Sequence, residues 1–304
     1  MRRLRFLLVA IISALATALA GVGAGVGLAG SAAGAAPVIP TLTDIRAAHH
    51  SGFDRLVFEF SGPLPEHTSV RWVDKVIADG SGQKVRVAGN ALLSVRMFNA
   101  NGHTDTEPST YGPARRAFAL PNIATVVNSG DFEATLSFGV GLMKRTSILR
   151  TQRLTSPSRY VVDVRTNFER RTAAVYFLDE DAFNGGTPPF VQPVLRSVPI
   201  SGVARGALHR LYAGPTQAEQ ADSLRLVRSQ SSGFADFAIS STKVARLRLT
   251  GGCSSGGSTF TVANEIRPTL RQFASIKWIK IYSPTGHTQQ PSGPSDSIPA
   301  CLEP

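Results

Sequence analysis

The sequence predicts two domains: an N-terminal all-β unit, sandwich or barrel-like, and a C-terminal α+β unit with the order β-α-β-β-α-β. Three observations predict this. Up to about residue 166, short β-type runs alternate with turn residues and no helical periodicity appears. A polar, charged stretch, residues 167–172, reads as a linker. Beyond it, apolar residues at helical spacing alternate with β-type runs.

In the first half the expected strands are "DRLVFEF" (54–60), "QKVRVAG" (83–89), "ALLSVRMF" (91–98), "DFEATLSFG" (131–139) and "RYVVDVRT" (159–166). Phe58 and Phe60 share a face at period two, as do Val85 and Val87, which selects sheet over helix. In the second half "AAVYFLD" (173–179) reads as a strand. "SGVARGALHRLYAGP" (201–215) reads as a helix, with Val203, Ala207 and Leu211 on one stripe and Gly214-Pro215 as its stop. Strands "FADFAIS" (234–240) and "KVARLRLT" (243–250) follow. The second helix is "STFTVANEIRPTLRQF" (258–273), capped by Ser258, with Val262, Ile266 and Leu270 on its buried stripe and Pro268 expected to kink or split it. "IKWIKIYS" (276–283) closes the order. The domain is expected to run over 173–289, with a Pro- and Ser-rich tail at 290–304.

Residues 1–36 carry Arg2, Arg3 and Arg5 ahead of an uncharged run, the pattern of an export signal. Ala33, Gly34 and Ala35 fit its cleavage site, and retention as an anchor is the alternative. Either outcome places the body outside the cytoplasm, secreted or associated with the cell envelope. The whole chain has a net charge of +11, and losing three arginines with no acid leaves +8. Such a charge attracts wall phosphates, peptidoglycan carboxylates and acidic membrane surfaces rather than nucleic acid. Only six of the 32 basic residues are lysine, a skew that base composition also produces.

Cys253 and Cys301 are the two cysteines, and an exported chain pairs them in one disulfide. Closing that loop contributes up to about 4 kcal/mol and pins the tail. Gly252-Cys253-Ser254-Ser255-Gly256 matches the G-x-S-x-G of a serine-hydrolase elbow. A following strand-to-helix turn is required, yet Gly256, Gly257 and Ser258 intervene, and downstream His287 precedes Asp296 in reversed order. No catalytic residue is therefore assigned, and a secreted hydrolase using Ser254 stands as the alternative. The same glycine-rich stretch could hold an anion at a helix start, but lacks the Gly-Lys-Ser/Thr of a P-loop.

"DEDAFNGG" (179–186) imitates a calcium loop through Asp179 and Asp181, but Phe183, Asn184 and Phe190 occupy required positions. His49-His50 lacks a third ligand at suitable spacing. No metal and no cofactor is expected. Arg46, Arg55 and Arg159 are the candidate ligand-binding residues, because a planar guanidinium pairs with carboxylates and phosphates alike. The competing expectation is structural ion pairing, Arg55 beside Asp54 and Arg159 near Asp163.

Two family resemblances accompany these readings. "VYFLD" (175–179), "GVARGALHRLYAGPT" (202–216), "VARLRLTGG" (244–252) and "IRPTLRQFASIKWIKIYSPTG" (266–286) resemble a GerMN domain, the module associated with germination and sporulation proteins. "RAAHHSGFDRLVFEF" (46–60) and "SPSRYVVDV" (156–164) resemble the AMIN-like domain, over residues 41–166, found beside such modules in secreted actinobacterial proteins. The resemblances imply a non-enzymatic envelope protein whose partners are peptidoglycan, another anionic wall polymer or envelope proteins. An assembly module that oligomerises through its GerMN half, without wall binding, is a further alternative.

Overall fold

Alternating apolar residues in the first half form two facing sheets. The structure, a computed structural model, describes residues 38–104 and 108–304. The expected export segment, residues 1–36, lies outside the described residues. The first half contributes β1 (Thr41–His50), β2 (Phe53–Ser61), β3 (His67–Val73), β4 (Val76–Ile77), β5 (Lys84–Val85) and β6 (Ala91–Phe98). It continues with β7 (Arg115–Ala117), β8 (Ile123–Phe132), β9 (Thr135–Leu142), β10 (Ile148–Thr155) and β11 (Ser158–Arg165).

One sheet has the order β1-β2-β11-β10 and the other β3-β6-β9-β8-β7. Leu56, Phe58 and Tyr160 of the first meet Val95, Phe138 and Val140 of the second in one core. This is the sandwich among the two expected alternatives. Two strand expectations need correction. "DFEATLSFG" is not one strand: Glu133 and Ala134 take φ of 48° and 54° and turn β8 back into β9. "QKVRVAG" supplies only the two-residue β5, paired with β4. That hairpin and the chain after it lie over β9, where a Cβ on Gly139 would meet Val76, and one on Gly141 the Ala88 carbonyl. Those glycines let backbone approach backbone.

The second half contains β12 (Arg170–Asp179), α1 (Glu180–Asn184), β13 (Val191–Pro199), α2 (Val203–Ala213), α3 (Gln217–Ala221) and β14 (Leu224–Arg225). After these come β15 (Ser231–Ile239), β16 (Val244–Gly251), α4 (Val262–Arg271) and β17 (Trp278–Tyr282). Its sheets are β13-β12-β14 and β15-β16-β17, with β16 and β17 parallel. The strand β13 was absent from the sequence reading; its Pro193 and exposed Leu195 hide the alternation. α4 stays one helix through Pro268, and its N-cap is Thr261, whose amide donates to Asn264 Oδ1 at 2.8 Å, rather than Ser258. Helix α4 also runs along the edge of β12 that β14 pairs only at Leu178 and Asp179. Leu178 N donates to Glu265 Oε1 (3.0 Å), Tyr176 N to Thr269 Oγ1 (3.1 Å) and Ala174 N to Gln272 Oε1 (2.9 Å). Spacing of four and then three residues puts these acceptors on one helix face, where they complete the strand's hydrogen bonding.

The residues read as a linker are ordered into the fold. Arg170, Arg171 and Thr172 open β12, and Phe168 packs at the seam between the halves. Ala117, Ala124 and Met143 from the first half meet Ala173, Val198 and Ala207 from the second. Val38–Pro304 accordingly forms one compact unit, although each half keeps its own core. At the seam Arg210 of α2 is buried. It donates to the carbonyls of Phe118 (2.9 Å), Pro121 (3.2 Å), Ile123 (3.3 Å), Leu120 and Ser197 (3.1 Å). Burial, then Arg196, lowers its pKa to about 9, so the side chain stays a cation at neutral pH.

Candidate functional site

The pairing register of β1, β2, β10 and β11 decides which way the sequence-selected arginines point. Leu56, Phe58 and Phe60 face the core, so the intervening residues of β2 face outward. Arg46 lies opposite Val57, Arg55 opposite Asp163, and Arg159 opposite Glu59. All three therefore share the outer face of one sheet.

On that face the arginines meet carboxylates. Arg46 Nη2 lies 2.6 Å from Glu59 Oε2, and its Nη1 lies 3.5 Å from Asp44. Arg55 makes a two-pronged pair with Asp163, both contacts at 2.8 Å, and Arg150 Nε reaches the same carboxylate at 2.8 Å. Burial pushes the Asp163 carboxyl up, but the hydrogen bonds from Arg55 and Arg150 outweigh it and hold its pKa below the usual range. The bond to Asp163 likewise raises Arg55 against the opposing effect of desolvation. Arg55 and Arg150 also flank the Phe53 ring, at 5.4 and 5.9 Å.

The structural pairs differ from the expected ones. Arg55 turns away from Asp54, which is fully buried and accepts from the amides of Asn122 (2.6 Å) and Ile123 (2.9 Å). Asp163 serves Arg55 and Arg150, whereas Arg159 donates to the Pro157 carbonyl at 3.3 Å. Arg150, Glu59 and Arg165 belong to the same outer face and were missed, because β10 went unrecognised and cross-strand partners are set by long-range register.

The face can therefore present guanidinium donors over a half-apolar sheet surface. Arg46 is nearly half exposed, and its five N–H groups are not exhausted by two carboxylates. Arg55 is more confined and holds Asp163 in place. Five arginines (Arg46, Arg55, Arg150, Arg159, Arg165) stand against Asp44, Glu59 and Asp163, leaving the face basic.

Elsewhere, Cys253 and Cys301 are bonded, with Cα atoms 5.7 Å apart. The tail they hold has further anchors. Lys280 Nζ donates to Ser292 O (3.2 Å), Ser295 Oγ (3.1 Å) and the Gln290 carbonyl, and Asp296 accepts from Ile279 N (2.9 Å). The hydroxyl of Ser254 accepts from Gly256 N at 3.1 Å, and α4 starts only at Val262, so the strand does not turn at this serine straight into a helix. Asp179 caps α1, accepting from Ala182 N at 2.9 Å. His49 pairs with Asp54 at 2.8 Å while His50 stacks on Phe53. Among the described residues no group of three or more His, Cys, Asp or Glu side chains is placed to hold a metal.

The sandwich and its outer face coincide with a family match. Residues 40–166 match the AMIN-like domain family. This half is an AMIN-like domain. The match begins beside β1 and ends just after β11, so it takes in both sheets of the sandwich. AMIN-like domains are common in cell-envelope proteins, which fits an envelope role. No curated protein and no solved structure matches the chain. Among the described residues no helix is long and apolar enough to cross a membrane.

Proposed function

We propose that this protein is an exported, non-catalytic envelope protein whose AMIN-like domain binds peptidoglycan or another anionic wall polymer through the outer face of β1-β2-β11-β10. The observation that carries this reading is the gathering of Arg46, Arg55 and Arg159 on one face of a domain type common in the envelope. Guanidinium groups on a sheet surface suit repeating carboxylates or phosphates, each contact being weak and the polymer supplying many. The second half, in this reading a GerMN-type module, is docked through the seam and serves envelope partners.

Retention of the protein on purified cell wall, measured across a salt titration, tests the proposal. Salt-sensitive retention above that of a neutral control supports it, and retention equal to the control refutes it.

A further inference from the structure

A cavity of about 510 Å³ opens on the AMIN-like domain where the segment after β6 meets the turn between β8 and β9. Its size falls within the roughly 300–1,000 Å³ of small-molecule sites. Ser109, Tyr111, Asn128, Asp131, Phe132 and Glu133 line it. The turn sets the last three: β8 ends at Phe132, and the positive φ of Glu133 and Ala134 reverses the chain there. Phe132 and Glu133 are both exposed, and Phe132 is a large apolar side chain that the fold leaves uncovered.

Asp131 is the fixed point of the wall. Gly102 N donates to its Oδ2 at 3.0 Å, and His103 Nδ1 lies 2.7 Å from the same oxygen. The other oxygen, Oδ1, is buried and has no hydrogen-bond partner among the described residues. Gly102 is needed for this arrangement, because a Cβ there would meet the Tyr111 ring at 2.6 Å. A buried carboxylate oxygen without a donor is costly, and a ligand that brings one removes that cost.

The mixed chemistry of the wall selects the ligand class. Two carboxylates, Asp131 and Glu133, disfavour an anion. An ammonium would use acceptors alone, whereas the Asn128 amide and the Tyr111 hydroxyl can donate as well. A sugar uses both kinds of group, since each hydroxyl donates and accepts, and its C–H face covers an exposed aromatic ring.

We propose that this cavity is a saccharide site, with Asp131 and Glu133 accepting from sugar hydroxyls and Phe132 carrying the apolar face of the ring. That the sugar belongs to the glycan of the cell wall rests on the wall-binding reading above, whereas the site itself does not. Arg116 donates to the Tyr111 carbonyl and to Asp44 Oδ1 (3.0 Å), and Asp44 also meets Arg46. The cavity therefore adjoins the basic face along β1, and one polymer can engage both.

Calorimetric titration of the unaltered protein with chitotetraose, a neutral oligomer of N-acetylglucosamine, tests the site. Binding should be insensitive to salt, because the ligand carries no charge. Phe132→Ala and Glu133→Gln alter exposed side chains, so both variants should keep their unfolding temperature yet bind at least about fivefold more weakly. Leu195→Ala, at an exposed apolar residue of β13 in the other half, should bind as the unaltered protein does. No binding at millimolar tetrasaccharide, or equal binding by all three variants, overturns the site. Binding of cadaverine in the sugar's place overturns it as well, by assigning the cavity to a cation. Loss of wall retention with tetrasaccharide binding intact would instead overturn only the wall-binding reading.

Discussion

Asp54 and Arg210 grip opposite sides of one turn, the connection between β7 and β8. The carboxylate of Asp54 accepts from the amides of Asn122 and Ile123, while the guanidinium of Arg210 donates to the carbonyls of Phe118, Leu120, Pro121 and Ile123. Both side chains are buried and they come from different halves of the chain. The field of Asp54 favours the charged form of Arg210, partly offsetting its desolvation.

Removing Arg210 strands several buried carbonyls at once. Arg210→Met is expected to lower unfolding stability by about 3 kcal/mol or more in urea titration, since each buried unsatisfied group costs about 1–3 kcal/mol. Asp54→Asn should cost about 2 kcal/mol through the loss of charge-assisted acceptance. The double variant should fall short of the sum by at least about 0.5 kcal/mol, because both residues hold the same turn.

The seam should also respond to acid. His209 Nδ1 accepts from Gly89 N at 3.2 Å, and its ring lies 4.8 Å from the Phe234 centroid. Burial, reinforced by Arg205, lowers its pKa from 6.5 to about 4. The unfolded chain therefore binds this proton first. The stabilisation is complete above about pH 6.5 and is lost as pH falls towards 4. The loss should be on the order of 2 kcal/mol, less than the full shift would give because His209 is only partly buried. His209→Asn should flatten that segment of the stability-versus-pH curve, while an unchanged slope would contradict this assignment.

Reduction of the Cys253–Cys301 bond should destabilise the protein by about 2–4 kcal/mol in the chain-entropy account. The tail should nevertheless resist proteolysis in the reduced protein, because Lys280 and Asp296 hold it independently. In a Lys280→Met variant, reduction should expose residues 290–304 to cleavage; equal protection in both proteins would assign the anchoring elsewhere.

Local pattern made much of this fold legible. Phe58 and Phe60 marked β2, "ALLSVRMF" is β6 residue for residue, and the stripes of α2 and α4 lie in the segments where spacing placed them. The turn at Glu133–Ala134 was not legible because neither residue type ordinarily requests positive φ. The arginines chosen from sequence do converge on one face, but their partners could not be read. Arg55 finds Asp163 more than a hundred residues away, and neighbouring Asp54 is drawn inward to the turn before β8. The seam was hidden for a related reason: its contacts join segments that the composition change had separated into two domains.

Equilibrium binding of the unaltered protein and of Arg46→Gln, Arg159→Gln to purified cell wall at low salt tests the central claim most directly. Both arginines lie on the sheet surface outside the core, so the double variant should keep its stability and lose at least about tenfold in affinity, or roughly 1.4 kcal/mol. Undiminished binding by a folded double variant would contradict the account.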